Sequence, residues 1–292
     1  MTTDTPPPPR RNWQINRWLV VFLVATLSYG TWRATTFRAA LAQAKTLGWD
    51  VEYTDPGKVI RANWTAAFKK ETWLDGVTEV KIPTSKGFEQ HLDVIHRLNP
   101  LALIINDAAT LHDLSPLKRL NRLENLGIYG CTGLTNVDAF NNLPRLTDVT
   151  LDRCTGLTNI EAIKNLTALQ RLFLTDCAGL TNADFLADLR ALQWVTLEGG
   201  TGLTNVDAVK NLTGLQWVVL TGCTGLKNVD ALKNLTALYG VCLNGCTGVT
   251  NVDFLKNLPK LREVFLSGCT GLAKDSVGAL KTFLPNAMIV TP

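Results

Sequence analysis

Seven cysteines and three histidines are the side chains of this 292-residue chain best suited to chemistry. Thiols can bind metal, attack an electrophile or pair as disulfides, and imidazoles can move protons or hold a metal. Six of the cysteines (Cys131, Cys154, Cys177, Cys223, Cys246 and Cys269) are separated by 23, 23, 46, 23 and 23 residues, with Gly200 in the vacant place. The phrase around them recurs as "GCTGLTN" at Gly130, "RCTGLTN" at Arg153, "GCTGLKN" at Gly222 and "GCTGVTN" at Gly245. A zinc site needs ligands that converge on one point, commonly from CxxC pairs, and no such pair is present. A disulfide needs Cβ vectors that approach each other, whereas thiols offered once per unit all face the same way. The spacing therefore predicts a structural ladder of small, buried, apolar side chains. Cys242 falls outside the beat at an outward position, so it is read either as an exposed thiol or simply as a small residue beside Gly240. No histidine or other activating group lies near it in sequence.

The histidines do not make up the deficit. His91 and His96 are five apart in "FEQHLDVIHRL", where a helix would not bring them to one face, and they read as solvated or capping residues; His112 is the third, also in the early repeats. No GxSxG, P-loop, HExxH or dinucleotide fingerprint occurs. The acidic residues that recur once per unit do so for geometric reasons. No catalytic residue, metal or cofactor is expected, and the chain does not read as an enzyme.

The elements that carry the cysteines keep the same beat. Leu123, Leu146, Leu169, Leu192, Leu215, Leu238 and Leu261 open successive units; apolar residues follow three, five and eleven positions on, which gives LxxLxLxxCxxL and a variable second half such as "NVDALKNLTAL". A period of this size means stacked supersecondary units that share one core. In "LQRLFL", Leu169, Leu172 and Leu174 should point inward while the residues between them point out. The glycine of "CTGL" is expected to supply a turn conformation closed to other residues. Asn136, Asn159, Asn182, Asn205, Asn228 and Asn251 should satisfy stray backbone groups, and the acid two residues later should open a helical turn.

This unit strongly resembles the leucine-rich repeat. The cysteine-containing first half is similar to one class of that superfamily, and the short second half looks more like the bacterial internalin type. The resemblance implies an α/β solenoid with a parallel sheet on its concave side and short helices or 3-10 turns and loops on its convex side. The beat extends to ten strands, from near residue 77 to a last one built on Leu284, Ala287 and Ile289, within a repeat domain spanning 77–292.

The net charge of +4 is localised. Residues 1–50 contain Arg10, Arg11, Arg17, Arg33, Arg38 and Lys45 against Asp4 and Asp50, so the remainder is neutral. A neutral body lacks the basic face that a sequence-independent grip on nucleic acid requires, and no nucleic-acid partner is expected. The excess charge flanks "RWLVVFLVATLSYGTW". Residues 18–32 are read as a short transmembrane signal-anchor helix after a Pro-rich cytoplasmic tail, 1–17. The alternative is a signal peptide cleaved near Gly30, with a secreted or periplasmic product. The preferred reading puts a single-pass protein in the inner (plasma) membrane, its repeats outside the cytoplasm. Residues 33–76 do not repeat; they read as a cap with a helix closing at Gly48, a strand-like "DVEYT", and a second helix carrying Trp64, Phe68 and Trp73.

In leucine-rich repeats the outward residues of the strands commonly bind proteins. By that resemblance the concave columns nominate Trp194, Trp217, Phe173, Val219 and Phe265 as a partner-binding patch, with Arg171, Glu198 and Asp152 at its rim. Neighbouring tryptophans can also simply stack as a cross-strand pair. The expected function is a membrane-tethered module that binds a protein or peptide. A structural or adhesive surface protein of internalin type, recognising a host receptor or glycan, is the alternative. A signalling receptor, with so short a tail, would need another subunit.

Overall fold

A strand shows alternate residues to opposite faces, so two apolar positions two apart in every unit commit one face of the sheet to a core. The computed structural model describes residues 36–53, 77–83 and 88–291. The tail, the apolar segment 18–32 and Trp64, Phe68 and Trp73 lie outside them. Among the described residues a single sheet runs in sequence order through eleven strands. They are β1 (Asp50–Tyr53), β2 (Val77–Ile82), β3 (Ala102–Ile105), β4 (Asn125–Tyr129), β5 (Asp148–Asp152), β6 (Arg171–Thr175), β7 (Trp194–Glu198), β8 (Trp217–Val219), β9 (Gly240–Cys242), β10 (Glu263–Phe265) and β11 (Met288–Val290). From β2 to β11 all pairing is parallel. Leu126, Val149, Leu172, Val195, Val218, Val241 and Val264 stand side by side, each a unit from the next. These residues and the openers Leu123 to Leu261 are buried in one continuous core.

Before the repeats, a helix over residues 36–46 (α1) buries Ala40 and Ala44 and packs Phe37, Leu41 and Leu47 against the core. Gly48, at φ +71°, turns the chain into β1, which pairs antiparallel with β2. The opening core face is thus covered by residues whose apolar pattern was visible in "FRAALAQAKTLGW".

The second half of each unit returns through a short helix. Units near the start use α2 (Leu92–Leu98) and a 3-10 turn, Ser115–Arg119; later units use 3-10 turns such as Asp138–Asn142 and Asp230–Asn234. Each asparagine of the expected column receives the backbone N–H two residues on at its Oδ1, at 2.7 Å for Asn251 to 3.2 Å for Asn136. That bond pairs an orphan donor at the start of the turn, and the acid residing there favours the same end.

The turn glycines depart from expectation. The glycines of "CTGL" do not adopt positive φ; a Cβ on Gly156 would stand 2.6 Å from the Thr132 carbonyl oxygen, and one on Gly248 2.7 Å from that of Leu226. They are glycines because the preceding unit's backbone occupies the space. Left-handed backbone occurs instead just before the cysteine, at Gly130, Gly199, Gly222, Gly245 and Gly268 with φ between +70° and +73°. Asp107, Arg153 and Asp176 take that conformation without being glycine.

All six ladder cysteines are fully buried in one file and form no disulfide with each other. The Cys246 and Cys269 thiols donate to the Leu220 and Leu243 carbonyls at 2.9 Å, and Cys223 donates to Leu197 at 3.0 Å. Each bond reaches back to the strand end of the preceding unit, so a thiol does what leucine there could not.

The last unit also differs. Its convex element is a full α-helix, α3 (Lys274–Phe283), and Val264 pairs with Ile289 rather than with Ala287. The two extra residues slip the register by two, which keeps Ile289 facing the core and spares the pattern.

Gly200 fills the ladder's vacancy with non-positive φ, and a Cβ there meets ordinary contacts, the nearest being the Cys223 sulfur at 3.5 Å. Gly200→Ala should therefore raise thermal stability, by about 0.4–1 kcal/mol through lower unfolded-state entropy. Gly245→Ala, at φ +70°, should lower it by about 1–2 kcal/mol. Melting curves of the two variants against the parent check the contrast.

Candidate functional site

Fixed spacing of the frame frees the outward positions of β4–β10, and there the residue types change from unit to unit. Trp194 and Trp217 are direct cross-strand partners. Their rings stack with centroids 5.0 Å apart and planes 14° apart. Phe173 joins on one side at 5.8 Å and Tyr239 on the other at 5.9 Å, each tilted by about 45°. Four rings from four successive units therefore form one strip.

The frame positions each ring. Trp194 Nε1–H donates to Thr196 Oγ1 at 3.3 Å, so its indole extends along the strand over the next outward residue. Thr196 is only 6% exposed beneath it. Trp217 leans toward the next unit: a Cβ on Gly240 would stand 2.3 Å from its Cζ3. Glycine at 240 is thus a seat for the indole. Both tryptophans are half-buried, while Tyr239 is 43% exposed.

The expected patch is assembled in part. Phe173, Trp194 and Trp217 belong to the strip. Val219, Cys242 and Phe265 make a neighbouring half-buried row in register, and Phe265 sits beyond Cys242, away from the four rings. Tyr239 was missed because it directly follows an inward leucine and lies outside the alternate columns. Its signal was compositional: the same place in other units holds Glu124, Thr147, Gln170, Gln193, Gln216 and Arg262. The stacked pair is also what a simple cross-strand contact would give, so stacking alone does not assign a role.

The charged residues separate. Arg171 is ion-paired to Asp148 on the adjacent strand, and that carboxylate pushes its guanidinium further above its usual range. Asp152 pairs with Arg153 at 2.9 Å. Glu198 is half-buried and meets no cation among the described residues.

The ladder thiols divide: hydrogen bonding to Cys154 lowers Cys131 and Cys177, and the others are raised. Burial pushes Cys223 up to about 11 and Cys246 up to about 12. Cys154 is also raised, first by hydrogen bonding with the flanking Cys131 and Cys177 thiols and then by burial. Cys242 is half-buried beside Thr221 Oγ1, at 3.3 Å. His96 Nε2 lies 2.8 Å from the Pro116 carbonyl and His112 Nδ1 3.3 Å from that of Gly133, so both tie a convex segment to the next. His91 packs edge-on against Trp49.

A curved or straight stack of parallel strands with 3-10 returns, presenting a variable sheet face, defines a leucine-rich repeat protein. The model of the BspA type leucine rich repeat region matches residues 108–216 and 199–284 in six copies, and the chain belongs to that family. Solved structures agree on the fold. Internalin C2 from Listeria monocytogenes is 23% identical, covering 77% of this chain and 88% of its own, with a TM-score of 0.54. The leucine-rich repeat domain of the type III effector XCV3220 (XopL) is 19% identical, covering 71% and 81%, with a TM-score of 0.53. No curated protein sequence matches the chain. The family is one of non-enzymatic repeat scaffolds, so this chain is a repeat scaffold of BspA type.

Three outcomes are expected. A thiol reagent at pH 8 should label Cys242 first in the folded protein and all seven cysteines after denaturation. Because burial raises the folded values of Cys223, Cys246 and Cys269, the stability these three contribute below the ordinary thiol value of 9.0 should fall as pH climbs from there toward about 11; urea midpoints across that window check the sign. Gly240→Ala should displace the Trp217 ring at small cost in melting temperature, seen as loss of the tryptophan-pair exciton signal in circular dichroism.

Proposed function

We propose that this protein is a membrane-tethered repeat module that binds a protein or peptide through the sheet face bearing Phe173, Trp194, Trp217 and Tyr239. The observation that carries this reading is the four-ring strip itself. An isolated solenoid gains solubility from polar residues at these outward positions, and aromatic clusters of this size on a surface characteristically mark contact sites. The strip is built on strands of a rigid frame, so a partner meets pre-placed rings and little ordering entropy opposes binding. The family and the solved structures support the repeat scaffold. The choice of this face rests on the rings.

Tethering is supported by sequence: fifteen apolar or neutral residues, 18–32, bounded by Arg17 and Arg33 and with tryptophan at both ends. No helix of the described residues is long and apolar enough to cross a membrane, and 18–32 lies outside them. The proposed location is the inner membrane with the repeats on its outer side.

Photo-crosslinking in intact cells from position 193, beside the strip, tests the reading. One or a few discrete protein adducts are expected. They should disappear when Trp194 and Trp217 are both changed to alanine while the melting curve stays cooperative. Each truncated hot-spot ring costs about 2 kcal/mol or more, so the loss should exceed a hundredfold in affinity. Unchanged adducts in the double variant would remove the reading.

A further inference from the structure

The outward positions of β4–β10 are not charge-balanced as the body of the chain is. They hold four carboxylates, Asp148, Asp152, Glu198 and Glu263, against one guanidinium, Arg171. Arg171 is committed to Asp148, and Asp152 is met by Arg153 from the turn. Glu198, at the end of the strand that carries Trp194, meets no cation among the described residues. Next to it stands Asp176, exposed and also without a cation among the described residues, its backbone N–H donating to the Glu198 carbonyl at 2.9 Å. A Cβ on Gly199 would lie 2.6 Å from Asp176 Oδ1, so that carboxylate leans toward β7. The Trp194 indole extends toward the same end of the strand through its bond to Thr196.

Resting on the reading of this face as a protein-binding surface, we propose that its occupant is an extended, arginine-bearing peptide segment whose guanidinium groups lie against the Trp194–Trp217 strip and pair with Glu198 and Asp176. Charge complementarity sets the sign, since a sheet face with surplus carboxylates repels acidic peptides, polyphosphates and anionic glycans. Ring chemistry sets the side chain: guanidinium is planar, stacks on indole and bridges carboxylates bidentately, which a lysine ammonium does less well. An extended backbone suits a surface whose rings repeat at the strand spacing of about 4.8 Å.

The test uses the full chain in non-ionic detergent and fluorescein-labelled octapeptides alternating arginine, lysine or glutamate with serine, read by anisotropy. The arginine peptide should bind more tightly than the lysine one, the glutamate peptide should not bind, and affinity should fall with salt. Glu198→Gln combined with Asp176→Asn should weaken the arginine peptide at least tenfold. Glu161→Gln, on the return segment, should leave it unchanged. Binding of the double carboxylate variant within twofold of the parent, or equal binding of the glutamate peptide, overturns the proposal. So does protection of tryptophan fluorescence by neutral cellohexaose without any response to the arginine peptide. If crosslinked partners vanish with the tryptophans while no arginine preference appears, only the identity of the occupant fails. If partners persist, the binding face itself is wrong.

Discussion

In-register parallel pairing, repeated once per unit, is the constraint from which the rest follows. Each strand must place its side chains directly above those of the previous strand, about 4.8 Å away. Inward positions are therefore held to leucine, valine and isoleucine, with cysteine where a small side chain must also reach a carbonyl. The hydrogen bond from Cys246 to Leu220 joins the turn of one unit to the strand of the unit before. Within one unit, Asn251 Oδ1 accepts the Asp253 N–H and closes the return turn. Links of the first kind couple nearest neighbours, which is how a solenoid whose units pack mainly on the units beside them remains one body.

Much of this was legible because buried positions obey a period and exposed ones do not. The strand register, the fully buried cysteine file, the asparagine caps and the packing of Phe37, Leu41 and Leu47 follow from spacing and residue type alone. Three features escaped for physical reasons. Periodicity identifies that "CTGL" needs glycine but not why, since steric exclusion by Thr132 or Leu226 and a left-handed backbone leave the same residue in the sequence. The two-residue slip at β11 preserves side-chain parity, so an apolar pattern cannot reveal it. Tyr239 joins the strip from a position whose direction is set by the bend entering the strand, outside the simple alternation. Of the candidate site, residue types on the columns were readable, while ring orientation was not: it depends on Thr196 and Gly240, both neighbours in space of the indoles they place.

The turn before the ladder position shows where frame and surface compete. Five units place glycine at positive φ there, while Asp107, Arg153 and Asp176 take φ between +45° and +53°. A side chain in that region costs about 1–2 kcal/mol, and aspartate tolerates it better than arginine. Arg153 is tied to Asp152, and Asp176 leans over the neighbouring unit. Two consecutive units beside the aromatic strip thus carry charged groups where the repeat would have been more stable with glycine.

The strip itself is consistent with the same economy of means. Stacking consumes part of the ring surface of Trp194 and Trp217, which limits the cost of exposing indoles to water in the free protein. The tether from Trp194 to Thr196 and the seat at Gly240 remove rotamer freedom before any partner arrives. Flexible exposed tryptophans would be a solubility hazard and would have to be ordered on binding; two indoles held by their own frame avoid both. A frame that repeats and a face that does not therefore act as one device: the period supplies rigidity, and Gly240 and Thr196 decide where the rings lie.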